Sequence, residues 1–193
     1  MAQRAVIRLA SLISTLGHPA MLMSLAVVFA PVRHASPNQS AATWLVPLLI
    51  VAIGLAFAFW KVHRGQWQHV DASVPKERTQ LNVFMLCVLV GASALCWFGL
   101  GQVALALGLA ASSVILASAL ILARWLKLSL HVSFAALAAC VLVSDYLSVA
   151  VAAGSIMLIT WSRLQLQRHT WSDVVAGLSV GLLAGTGWRL VVW

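Results

Sequence analysis

Acidic residues are almost missing from this chain. Asp71, Glu77, Asp145 and Asp173 are the only four among 193 residues, and with twelve Lys and Arg the charged share is only 8%. An ordinary globular domain carries roughly 25% charged residues. So few charges cannot cover the surface of a soluble protein of this size, which excludes water-soluble enzymes, disordered tails and secreted disulfide scaffolds. Cysteine is scarce too. Cys87, Cys96 and Cys140 lie inside apolar runs without metal-ligand spacing and read as small buried hydrophobes. There is no glycine-rich nucleotide loop, no serine hydrolase motif and no acidic cluster for magnesium. His63 and His69 lack the helix-face spacing of a zinc pair, and with His34 they read as loop residues. No Lys/Arg block suited to nucleic acid occurs. The net charge of +8 is therefore left to membrane topology and to an anionic substrate.

What the chain does have is apolar sequence: 62% of its residues are hydrophobic and the mean hydropathy is +0.99. A bilayer core about 30 Å thick takes ~20 apolar residues per helix. Spans are expected at 9–30, 44–60, 81–98, 102–123, 131–144, 146–161 and 171–192, an all-α bundle of about seven crossings, with six as the alternative. The run 81–123 is nearly uninterrupted and, at 1.5 Å per residue, roughly 65 Å long, so it must cross twice, turning at Gly99-Leu100-Gly101-Gln102. His18-Pro19 predicts a kink in the first span, and a loop with Pro31, Pro37 and Asn38 follows it. His18 itself reads as polar glue between helices or as part of a substrate channel. Asp145 reads as a solvated turn residue. Trp44, Trp60, Trp97, Trp125, Trp161, Trp171 and Trp188 fall near span ends, as an aromatic belt requires. The whole chain, 1–193, reads as one membrane-embedded domain.

Seven crossings put the N-terminus and the loops 61–80, 124–130 and 162–170 on one side. That side carries Arg4, Arg8, Lys61, Arg64, Lys76, Arg78, Arg124, Lys127, Arg163 and Arg168, while Arg33 and Arg189 fall on the other. The positive-inside rule places the basic loops in the cytoplasm, in a plasma membrane of the bacterial inner-membrane kind.

The residues suited to chemistry cluster on that side. Ser162-Arg163, five residues, His169, three residues and Asp173 form the pattern Ser-Arg-x5-His-x3-Asp. His169 and Asp173 are four apart on one helix face, where a carboxylate can orient an imidazole as a nucleophile. Arg163 brings a planar donor fork suited to phosphate oxygens. With this pattern the chain resembles the type-2 phosphatidic acid phosphatase family, membrane lipid phosphatases related to vanadium haloperoxidases, which are marked by Lys-x6-Arg-Pro, Pro-Ser-Gly-His and Ser-Arg-x5-His-x3-Asp. The third motif is complete here. Of the second, Leu128-Ser129-Leu130-His131 keeps Ser129 and His131, with leucines for the proline and glycine. Of the first, Arg78 stands in place, with Asp71 where lysine belongs and Thr79 for the proline; Lys76 or Lys127 would restore the missing cation.

The resemblance implies a lipid phosphate or pyrophosphate phosphatase that works through a phosphohistidine, without metal or other cofactor. His169 would be the nucleophile, Asp173 its orienting partner and His131 the acid for the leaving oxygen. Arg163, Arg78, Lys127, Ser129 and Ser162 would bind phosphate. The implied partners are a lipid phosphate or polyprenyl diphosphate and the surrounding lipids. It also implies a site on the non-cytoplasmic face, against the charge count. A reading of another class stays open: a non-catalytic anionic-lipid binder or small transporter with a degenerate phosphate site.

Overall fold

The structure, a computed structural model, describes residues 2–33, 41–72 and 74–192, except for the side chains of residues 2 and 27–33. The loop expected around Pro37 and Asn38, with His34, lies outside the described residues, as does the side chain of Arg33. The described residues form helices and connecting turns only. In chain order these are α1 (Ala2–Leu16), α2 (Pro19–Arg33), α3 (Ala42–His63), α4 (Pro75–Ala94), a π-helical turn (Leu95–Gly99), α5 (Val103–Leu122), α6 (Leu130–Leu142), α7 (Tyr146–Gln165) and α8 (Trp171–Val192).

Five helices are long and apolar enough to cross a membrane: α3, α4 with its π-helical turn, α5, α7 and α8. Paired across their 47° bend, α1 and α2 make a sixth. The protein is an integral membrane helical bundle. Leu48, Phe59, Val114 and Leu183 stand exposed on its outside, as side chains facing lipid do. Cys87 is also exposed, so it faces outward rather than joining the core, unlike the buried Cys96.

The bend in the first span sits at the expected His18-Pro19. Proline has no N–H to donate, and the His18 N–H turns to the Thr15 carbonyl at 3.2 Å, closing α1 with a tight turn before α2 begins. Pro31, foreseen in a loop, lies in a helix instead, because α2 keeps helical backbone through Arg33.

The expected span 131–144 departs most. It is a helix of 13 residues, about 20 Å at 1.5 Å per residue and short of a bilayer. Yet it is the central element, packed against α2, α5, α7 and α8. Val132, Ser133, Ala136 and Leu137 are buried. Enclosed by protein, α6 needs no bilayer-matching length. Its closest partner is α8, through three glycines at four-residue intervals. A Cβ on Gly177 would stand 2.7 Å from the Ser129 carbonyl oxygen, one on Gly181 2.2 Å from that of Ser133, and one on Gly185 2.6 Å from Cys140 Cβ. The missing side chains let the two backbones touch, as in small-xxx-small membrane packing. At the far end, Trp188 is buried and donates from Nε1 to the Ala104 carbonyl at 3.0 Å, so it belongs to the core rather than to an aromatic belt.

The polar segment is folded over residues 61–72 and 74–80. Phe57 stacks on Phe84 with ring centres 3.9 Å apart, and Trp67 meets Phe57 edge-on. Trp67 Nε1 donates to Gln80 at 2.8 Å, and the buried Glu77 accepts the Gln68 N–H at 2.8 Å. These anchors let α4 start at Pro75, a favoured first-turn residue, so that Arg78 occupies the first turn of that helix rather than a loop. Asp145 caps α7, accepting the Ser148 N–H while the Ser148 hydroxyl answers to the Asp145 main chain.

Candidate active site

One end of the bundle gathers side chains from the ends of seven helices. The α1–α2 break brings His18, the start of α4 brings Arg78, and the α5–α6 connection brings Lys127 with His131 just beyond it. The last turn of α7 brings Arg163, and the α7–α8 connection brings Arg168 and His169. All seven side chains line one cavity of about 1080 Å³, just above the usual range for small-molecule sites, roughly 300–1,000 Å³. Past this polar head the cavity runs down the bundle between apolar walls, which include Ile50, Met85, Leu89, Leu109 and Phe134, as far as Trp188.

His169 is the best defined of the group. Its side chain is 5% exposed, and Nδ1 lies 3.0 Å from the Lys127 carbonyl oxygen. A carbonyl only accepts, so Nδ1 carries the proton and Nε2 keeps its lone pair. The ring stays neutral well below the usual imidazole range, with its pKa lowered to about 4. Burial is the main cause; the positive charges of Arg163 and Lys127 add to it, while the Lys127 carbonyl and Asp173 pull the other way.

Asp173 stands one step back from the role foreseen for it. Its Oδ2 is 3.7 Å from Nδ1, beyond hydrogen-bond length. The carboxylate instead accepts the Lys127 N–H and the Thr170 N–H, each at 2.9 Å. It clamps the α5–α6 connection to the start of α8 and so helps fix Lys127, the residue whose carbonyl orients His169. Asp173 is buried and does not line the cavity.

Lys127 also reaches across with its side chain, donating from Nζ to the Arg168 carbonyl at 3.0 Å. Burial holds its ammonium below the ordinary lysine range, helped by the neighbouring Arg78, Arg163 and Arg168. Arg163 gives one guanidinium N–H to the Ser14 hydroxyl of α1, and its buried Nε–H has no protein partner. An unpaired buried guanidinium N–H is costly, and here it belongs to a side chain lining the cavity.

Two expected phosphate ligands lie elsewhere. Ser162 is fully buried and its hydroxyl donates back to the Ile159 carbonyl at 3.0 Å. Its helical position points it into the α7 packing, away from the cavity. Ser129 is fully buried at the start of α6, where its N–H meets the Asp173 carbonyl at 3.2 Å; it does not line the cavity, and its hydroxyl has no partner. The leucines flanking Ser129 accompany this inward turn: Leu128 is buried and Leu130 packs on the main core.

Conversely, Ser14 and Arg168 reach the group without having been singled out, and His18 takes a definite place in it. Only the Pro19 that follows His18 signalled a break there. Compared with protein-family models, characterised proteins and solved structures, the chain matches none.

Proposed function

We propose that this protein is a membrane phosphatase acting on a lipid phosphomonoester or diphosphate, of the type-2 phosphatidic acid phosphatase kind. The observation that carries the reading is the neutral His169, its Nδ1–H tied to the Lys127 carbonyl, in a cavity shared with Arg78, Lys127, Arg163 and His131. Nε2 attacks phosphorus, forming a P–N bond as the P–O bond to the lipid breaks. Arg78, Lys127 and Arg163 hold the phosphoryl oxygens and balance the charge that builds on them. A proton from His131 goes to the leaving oxygen. Water then attacks the phosphohistidine, the P–N bond breaks and phosphate leaves. The apolar trunk of the cavity takes the tail of the substrate, so no soluble domain is needed.

Purified protein is expected to release phosphate from phosphatidate or a polyprenyl diphosphate, and His169→Ala to lower the rate by at least ~10³-fold. Full activity in that variant would reject the mechanism. Lipid binding without phosphate release from any lipid tested would favour the anionic-lipid binder instead. The charge bias puts this end of the bundle in the cytoplasm. A cysteine introduced between residues 61 and 80 should therefore resist an impermeant thiol reagent in intact cells, and labelling would reverse the orientation.

A further inference from the structure

The break between α1 and α2 delivers more than a bend. Because the His18 N–H bonds Thr15, the Ser14 carbonyl one turn earlier is released from that N–H and lies toward the His131 imidazole. The Ser14 hydroxyl receives Arg163 at the same point. Ser14 thus ties a candidate phosphate ligand to the first span, beside the candidate acid. His18 follows directly. Its ring stands edge-on to that of His131, with centres 5.6 Å apart and planes at 86°, and it lines the same cavity. Its Nδ1 accepts the Ala20 N–H at 3.3 Å, at the start of α2. With Nδ1 accepting, the neutral ring carries its proton on Nε2.

We infer that His18 is a further catalytic residue, whose Nε2–H hydrogen-bonds the leaving oxygen of the substrate beside His131. The inference rests on the phosphatase reading above. No proton changes hands at His18. The P–O bond breaks, the electron pair goes to the leaving oxygen, and that oxygen takes its proton from His131. The His18 N–H stabilises the charge the oxygen carries before protonation is complete. A donor in this position matters more when the leaving group is a poor one.

The experiment uses the full-length protein in detergent with two substrates, an alkyl phosphate and nitrophenyl phosphate, whose leaving oxygen needs little help. His18→Asn keeps an acceptor for the Ala20 N–H but withdraws the outer donor, while His18→Gln extends an N–H toward the Nε2 position. His18→Asn is expected to slow alkyl phosphate turnover about 10- to 100-fold and nitrophenyl phosphate less than about 3-fold. His18→Gln should recover most of the alkyl rate, and melting temperatures should match the unsubstituted protein. Equal losses on both substrates, or His18→Gln no better than His18→Asn at the same melting temperature, would overturn the role of His18 and leave the phosphatase reading intact. No phosphate release by the unsubstituted protein from either substrate would reject both.

Discussion

Arg163 and Arg189 hold opposite ends of the same bundle, and their surroundings differ in kind. Arg189, near the end of α8, donates to the carbonyls of Cys140 and Val143 at 3.2 and 2.8 Å. These belong to the last turn of α6, where free carbonyls and the helix dipole favour a cation. Protein groups satisfy it. Arg163 has the Ser14 hydroxyl, a bare Nε–H, and Lys127, Arg168 and His169 with it around one cavity. Cations crowded there repel one another, and an anion entering the cavity relieves that repulsion. One end of the molecule is closed by its arginine; at the other the cations line a cavity.

Exchanging the two arginines for alanine breaks or upholds this contrast. Arg163→Ala is expected to cut phosphate release about 10²- to 10³-fold, with little change in melting temperature. Arg189→Ala should lower the melting temperature and leave the rate of the folded fraction within about 3-fold. Similar effects from both would erase the distinction.

The glycine seam sharpens it in another way, since α6 and α8 run between the two ends. Gly181→Val, facing the Ser133 carbonyl, should destabilise by about 1–3 kcal/mol and separate Asp173 from the Lys127 peptide. Gly187, with nothing within 4 Å of a Cβ, is the control, and Gly187→Ala should change stability by no more than about 1 kcal/mol. Thermal melting in detergent compares the two.

The smallest effect concerns pH. With His169 held at about 4, kcat/KM should stay high down to mildly acidic pH and fall only near pH 4, because the nucleophile must be unprotonated. Arg163→Met removes a like charge, so the acid limb should move up toward 6.5. For stability the sign is fixed by the same shift. The unfolded imidazole takes its proton near 6.5 and the folded one only near 4, so acidification through that window favours the unfolded chain. An acid limb at 6.5 in the unsubstituted protein would mean that His169 is not the buried group described here.

Much of the site was legible before folding. His169, Arg163, His131 and Arg78 were marked by motif spacing and Lys127 as a stand-in for the missing motif lysine, and they meet in one cavity at one end of the bundle. Ser162 and Ser129 were marked by motifs too and turned away: on its helix the Ser162 hydroxyl finds the Ile159 carbonyl, and Ser129 is buried before α6 with its hydroxyl unpaired. Asp173 kept its position and changed its partner: a carboxylate four residues from a histidine reaches whichever donors lie nearer, and here two backbone N–H groups did. The glycine seam was written as Gly177, Gly181 and Gly185, yet glycine at four-residue spacing acquires meaning only when a second helix lies against it.

Composition alone made this a membrane protein, because so few charges cannot cover a water-facing surface, and long apolar runs fixed where most helices lie. Which histidine meets which carbonyl, which serine faces the cavity, and that the shortest helix stands at the centre were decided by packing. Local sequence sets the period and length of a helix; the direction of each side chain toward another helix depends on contacts between residues far apart in the chain.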